Sequence, residues 1–337
     1  MREIGSEFWQ QYTPVFVENT PNEVYLLSGR TALRFIIDDI RRSRNVRKAL
    51  LPSYCCDSMI IPFIQSGIDV EFYQVYGERL DYPYDSNADI VFLIDFFGYV
   101  NDQNAEIAHH EKQAGKVILY DSTHKVDGNK TVEALADYSF CSYRKWFYCN
   151  YAKAVKQHGA FNVDPMSVLH ERYVKLRDAA ASEKERYIAG LPSDKQRFLS
   201  DFRAAEQILD EDYAGYAGTP VDVDVQEFAI RRRENAAYLL RSLKEIPQIR
   251  FWRESIGHED TPMFVPILVD PHIRDDLRSY LINRQIYCPV HWPKSSYHGM
   301  CNELYDMELS LVCDQRYNFA DMDRMVHAIM DYFSDKR

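Results

Sequence analysis

The chain has no apolar run long enough to span a bilayer, and its first ten residues, MREIGSEFWQ, lack the basic and apolar stretches of a secretory leader. Both absences predict a protein of the cytoplasm, without a membrane partner. Seven cysteines, an odd number with no CxxC pair, argue against a disulfide framework and a structural zinc site. They read as reduced thiols used mostly for packing, and no metal is expected. Basic charge is short as well: 40 Lys and Arg face 51 Asp and Glu, a formal net charge of −11, so nucleic acid is not an expected partner. A phosphorylated ligand would then need local donors. No internal repeat or low-complexity tract is present.

What is there is a chain of 337 residues, 46% hydrophobic, long enough for one large α/β domain and a smaller one. Apolar runs at 24–27, 49–51, 70–75 and 89–97 read as strands, and helical spacing follows from 29 onward, over 58–66 and over 104–113. The alternation continues to Lys145 and predicts a mostly parallel, doubly wound sheet. Sheets of this kind bind ligands at the carboxyl ends of their strands. The stretch 168–212 is helical and densely charged, and reads as solvated helix faces without chemistry. Small residues at 215–220 mark a boundary between a large domain, 1–217, and a small α+β domain, 218–337, on which the N-terminal segment is also free to pack. In the second domain helices are expected over 225–243, 273–283 and 319–333, and strands over 263–269 and 287–292.

The candidate chemistry centres on ADYSFCSYRKWFY at 136–148, where a strand-like run leads through Ser142 to Lys145. An amine against apolar neighbours loses hydration of its charged form, which frees the neutral amine that Schiff-base chemistry needs. A plain surface lysine is the other reading of that position. Upstream, a short strand ends in Asp121, with His124 three positions on. Two neighbouring strands with these ends bring carboxylate, imidazole, hydroxyl and amine to one sheet edge. The set suits pyridoxal phosphate, whose ring nitrogen needs a carboxylate and whose aldehyde needs a lysine. Ser28-Gly29-Arg30-Thr31 opens a helix after a strand, which suits either a phosphate on unpaired N–H groups or a simple helix cap by Ser28 or Thr31.

Six stretches carry a resemblance: SGRTAL at 28–33, LPSYCCDSM at 51–59 followed by Gly67, IDFFG at 94–98, YDSTH at 120–124, SYRK at 142–145 and LSLVCDQRY at 309–317. In this order they resemble the DegT/StrS-type aminotransferases, pyridoxal-phosphate enzymes of fold type I that aminate keto-sugars. The resemblance implies a large cofactor-binding domain with a small C-terminal domain, and a homodimer. It implies an amino-acid donor such as glutamate and a keto-sugar acceptor in nucleotide-linked form. Lys145 would carry the cofactor and then shuttle the proton, Asp121 would hold the ring nitrogen, and His124 would lie near the ring oxygen. Arg30 and Thr31 would hold the phosphate, chiefly through backbone N–H, together with Ser142.

The chain departs from that pattern in three places. Cys56 stands where the family has a ring-stacking aromatic, so the stacking residue is either Cys56 or its neighbour Tyr54. Phe140 stands five before the lysine, where many relatives have the phosphate-binding serine that Ser142 would replace. Trp146-Phe147-Tyr148-Cys149-Asn150-Tyr151 replaces a glycine-rich turn; its four aromatics are expected at the partner subunit, with Asn150 as a donor to the partner's phosphate. His291 in CPVHWP and Arg316 in DQRY each have a ligand-contacting and a structural reading. A sugar dehydratase on the same fold and a non-catalytic relative are the rival functions.

Overall fold

The computed structural model describes residues 3–165, 167–295, 297 and 302–334. Strand β1 (Ile4–Gly5) is followed by β2 (Glu23–Leu26), α1 (Gly29–Ser43), β3 (Lys48–Pro52), α2 (Asp57–Gln65), β4 (Asp69–Tyr76) and β5 (Arg79–Asp81). Next come β6 (Ile90–Ile94), α3 (Asp102–Gln113), β7 (Val117–Asp121), α4 (Lys130–Leu135), β8 (Tyr138–Ser142) and β9 (Ala152–Lys156). Helices α5 (Glu171–Ile188), α6 (Lys195–Glu211) and α7 (Val225–Leu243) lead to β10 (Arg250–Phe251) and β11 (Phe264–Leu268). The chain closes with α8 (Pro271–Ile282), β12 (Ile286–Tyr287), α9 (Leu304–Met307), β13 (Glu308–Val312) and α10 (Phe319–Ser334).

Eight strands form the main sheet in the order β2-β9-β8-β7-β6-β3-β4-β5, with β8, β7, β6, β3 and β4 mutually parallel. The middle strands, IVFLI in β6 and VILYD in β7, are buried at every position. Continuous apolar runs of this kind belong in a parallel sheet covered on both faces. Helix α1 buries Leu33, Ile36, Ile37 and Ile40 along one stripe, as its spacing demands, and Arg41 and Arg42 sit favourably in its last turn. A second, antiparallel sheet, β10-β11-β13, carries the small C-terminal core, where Leu309 and Leu311 meet Leu239, Leu277, Met325 and Ile329. The N-terminal segment packs on this part of the molecule, through the parallel pairing of β1 with β12.

Three expectations differ from the observed fold. The run 89–97 does not stay extended: after Ile94 the backbone turns at Phe97 (φ 58°) and Gly98 (φ 86°). A Cβ on Gly98 would stand 1.9 Å from Thr261 O, so only glycine fits that crossing. The run 287–292 is a strand only as far as Tyr287; Pro289 has no N–H to donate to a ladder. The charged stretch 168–212 is solvated only in part: Glu171, Lys175 and Glu185 are exposed, but Arg177 is 3% and Lys184 0% exposed. Each is held by partners: Arg177 by Asn150 and Glu206, Lys184 by Glu3 and the carbonyl of Glu7. No helix among the described residues is long and apolar enough to cross a membrane.

Candidate active site

The parallel strands bring their carboxyl ends to one edge, and the candidate residues collect there. Asp121 ends β7 and is 2% exposed; Thr123 N–H donates to its Oδ1 at 2.8 Å. Burial raises the carboxyl to about 6 against the hydrogen bonds from Thr123. No cationic side chain pairs with it among the described residues, so the site holds a buried acid in want of a positive partner.

Next to it, Ser142 ends β8 and meets the N-terminus of α1. A Cβ on Gly29 would lie 3.0 Å from Ser142 Cβ and 3.5 Å from its Oγ. Ser28 caps the helix by accepting from Thr31 N–H at 3.2 Å, and Ala32 N–H bonds to Ser28 O at 2.9 Å. The N–H groups of Gly29 and Arg30 find no acceptor among the described residues. Two free N–H donors, a serine hydroxyl and the positive end of a fifteen-residue helix make an anion cradle. The side chains beside it are engaged elsewhere. Arg30 pairs with Asp210 at 2.8 Å and bonds to Leu209 O, and Thr31 Oγ1 donates to Tyr213 O at 2.7 Å. Arg30 therefore contributes its backbone.

Lys145 leaves β8 through a single helical turn, Tyr143–Lys145, and is exposed. The next residue anchors it: Trp146 is fully buried, and its Nε1–H donates to Thr123 O at 2.7 Å in the loop that carries Asp121. Arg232 lies 4.2 Å over the indole ring and donates to Trp146 O. His124 is 3% exposed and accepts from Phe97 N–H on Nδ1 at 3.1 Å, which leaves the proton on Nε2. Burial, and then the charge of Lys145, lower its pKa to about 3. This imidazole is neutral beside the lysine. The Cys56 thiol also feels Lys145 and Asp121; burial raises its pKa.

Lys145 opens into a cleft of about 560 Å³, walled by the N-terminal residues 5–8, helices α5 and α6, and the small-domain residues His291, Asp314 and Arg316. Arg144 lines the same cleft and donates twice to Glu206 on α6 at 2.9 and 3.1 Å.

No protein-family model and no curated protein sequence matches the chain. Solved structures do. PseC of Helicobacter pylori, an aminotransferase involved in the biosynthesis of pseudoaminic acid, is 14% identical, with 93% of this chain and 87% of PseC covered at a TM-score of 0.65. DesI, solved in the presence of its TDP-sugar product, is 12% identical, with 91% and 79% covered at a TM-score of 0.62. NtdA of Bacillus subtilis, solved with bound cofactor PMP, is 13% identical, with 92% and 72% covered at a TM-score of 0.60. The fold is that of the DegT-type sugar aminotransferases.

On this sugar-aminotransferase fold several residues stand differently from expectation. Tyr54 is fully buried among Phe96, Trp252, Trp292 and Tyr305, and its hydroxyl bonds to His291 O. Cys56, in the same loop, is the one whose thiol feels the charges of Lys145 and Asp121. The aromatics after Lys145 are hidden within the protomer, Trp146 at 0%, Phe147 at 1%, Tyr148 at 5% and Tyr151 at 7% exposure. They pack against Tyr12, Tyr143, Phe228 and Arg177, so no partner chain is needed to cover them. Asn150 Oδ1 accepts from Arg177 Nε at 3.0 Å within the same chain. Arg316 pairs with Asp314 at 2.7 Å and is buried with it.

Two cleft residues were missed by the sequence reading. Glu206 and Arg177 belong to the cleft, yet nothing in a charged helical stretch marks which charges turn inward. His291 lines the cleft beside Lys145, with its ring 5.7 Å from that of His124.

Proposed function

We propose that this protein is a pyridoxal-phosphate-dependent aminotransferase that moves an amino group from an amino acid, glutamate in this reading, to a nucleotide-linked keto-sugar. The observation that carries it is the meeting of Lys145, the unpaired acid Asp121 and the Gly29–Ser142 cradle at one sheet edge. These residues fit the cofactor: an amine for its carbonyl, a buried carboxylate for its ring nitrogen and a cradle for its phosphate. When bound, the cofactor supplies a carbonyl that captures amines and a ring that withdraws electrons from the neighbouring carbon.

The chain's own groups then divide the work. Asp121 would accept a hydrogen bond from the ring nitrogen and keep it protonated by its negative charge. Gly29 and Arg30 N–H and Ser142 Oγ would bind the phosphate, helped by the α1 dipole. His124, neutral and carrying its proton on Nε2, is a donor suited to the ring oxygen. Cys56 would face the ring in place of an aromatic, giving contact without stacking. Lys145 Nζ, once released by the incoming amine, would act as the base that takes a proton from the donor carbon and returns it one position along. For anionic substrate groups, Arg203 and Arg278 line the cleft wall.

The reading includes a cytoplasmic homodimer. Its support is an apolar rim of exposed Phe16, Val17, Val168 and Leu169. Two backbone bonds, Val15 N–H to Pro220 O and Ala217 N–H to Val168 O, connect the segments of that rim. Asn150, occupied by Arg177, would offer only Nδ2 to a partner's phosphate.

The purified protein should be yellow, and borohydride should leave a stable cofactor adduct on the peptide containing Lys145. An adduct on Lys125 instead, or a colourless protein that takes up no cofactor, would reject the assignment. A panel of nucleotide keto-sugars offered with glutamate then identifies the acceptor by the amino sugar formed.

A further inference from the structure

Strand β13 reads Glu308-Leu309-Ser310-Leu311-Val312, and all five residues are buried. Its alternation sends Leu309 and Leu311 into the small-domain core and leaves Glu308 and Ser310 on the other face. A carboxyl and a hydroxyl so deeply buried are costly unless hydrogen-bonded. Their common partner is His291. Ser310 Oγ lies 2.9 Å from His291 Nδ1 and 2.5 Å from Glu308 Oε1, while Glu308 Oε2 accepts from His291 N–H at 2.6 Å. The strand therefore holds the histidine by both its backbone and its ring. Nδ1 is used, Nε2 has no hydrogen-bond partner among the described residues, and the residue lines the cleft that Lys145 opens into.

We propose that Glu308, Ser310 and His291 form a proton relay whose cleft end, His291 Nε2, takes the proton that an incoming substrate ammonium must lose before its nitrogen can react. The proposal rests on the aminotransferase reading. An N–H bond of the ammonium breaks, its electron pair stays on the substrate nitrogen, and a new N–H forms at Nε2. The Nδ1 proton passes to Ser310 Oγ, whose own proton passes to Glu308 Oε1. The carboxylate ends as a neutral carboxylic acid, and no further reactant is required.

The surroundings suit each step. Around the imidazole stand Lys145 and His124, with the rings of Phe97, Phe264 and Trp292. Burial, followed by His124 and Lys145, lowers the pKa of His291, so a proton does not rest on the ring. Around Glu308 stand the N–H of His291, Ser310, Arg274, Tyr54 and Cys288. Burial raises this carboxyl to about 8 against the first three, so the relay accepts a proton only through the ionised form of Glu308, whose share grows as pH rises through that value. His291 is thus the catalytic member, and Ser310 and Glu308 act through it.

The test combines two measurements on the full chain. In the cofactor-free protein, nitrogen-15 histidine spectra should show the His291 ring nitrogens shifting as Glu308 ionises near pH 8, and Glu308→Gln should abolish that step. In the cofactor-loaded protein, Glu308→Gln and Ser310→Ala should keep the wild-type absorption spectrum. Their single-turnover reaction with glutamate should slow by about tenfold or more, with an altered pH profile. Loaded variants that react at the wild-type rate, or a wild type without the spectral step, overturn the relay and leave the aminotransferase reading standing. A wild type that binds no cofactor removes that reading, and the relay with it.

Discussion

Gly29 and Ser142 face each other across the sheet edge so closely that a methyl on Gly29 would lie 3.0 Å from Ser142 Cβ. Gly29 begins a helix, where alanine is ordinarily favoured over glycine by up to about 1 kcal/mol. Gly29→Ala should therefore leave the unfolding temperature little changed while the methyl intrudes on the phosphate cradle. The expected result is a loss of pyridoxal-phosphate affinity of about tenfold or more, read by absorbance titration. Unchanged affinity would move the phosphate elsewhere.

Asp121 gives a pH dependence with a definite sign. Its carboxyl titrates at about 6 because it is buried, and only the ionised form can pair with a protonated ring nitrogen. Cofactor affinity should hold above that pH and fall as pH drops through it. Asp121→Asn should bind more weakly at neutral pH, and its affinity should depend less on pH. Because the cofactor phosphate also titrates in this range, the difference between the two proteins is the quantity to measure. A parallel fall in both would assign the effect to the phosphate alone.

Glu308 predicts an effect on stability. Its folded pKa of about 8 lies above the ordinary glutamate value, so between those two values the native state holds a proton that the unfolded chain has released. Wild-type stability should then fall as pH rises through this window and level off above it. Glu308→Gln, which resembles the protonated acid, should escape the loss. Thermal unfolding of both proteins from pH 5 to 9 should show the variant gaining on the wild type with rising pH; a constant difference would contradict the buried, protonated carboxyl.

Trp146 separates packing within a protomer from packing between protomers. Its ring is fully buried against Arg232, and its Nε1–H bonds to Thr123 O, so Trp146→Ala should cost about 3–5 kcal/mol. A residue buried by its own chain should destabilise a monomer and a dimer alike. Denaturant midpoints that vary with protein concentration more steeply in the wild type than in the variant would return this residue to an interface.

Most of the regular elements and the ends of the parallel strands were legible in the sequence. Continuous apolar runs such as IVFLI and VILYD report burial on both faces, and Ser28 marks the start of α1, because burial and capping act over a few residues. It likewise determined Lys145, Asp121 and Ser142 as residues of one sheet edge, since adjacent parallel strands must end together. Only the tertiary structure decided what the remaining side chains face. Tyr54 and Cys56 are two positions apart in one loop, yet one enters an aromatic cluster and the other feels the charge of Lys145. The aromatics after Lys145 are covered by Tyr12 and Phe228, far away in the chain, and no local pattern announces such cover. In the same way Arg177, Glu206 and His291 became part of the cleft through contacts between α5, α6 and the small domain. A charged residue on a helix looks the same in sequence whether it meets water or a buried partner, and long-range packing alone makes the choice.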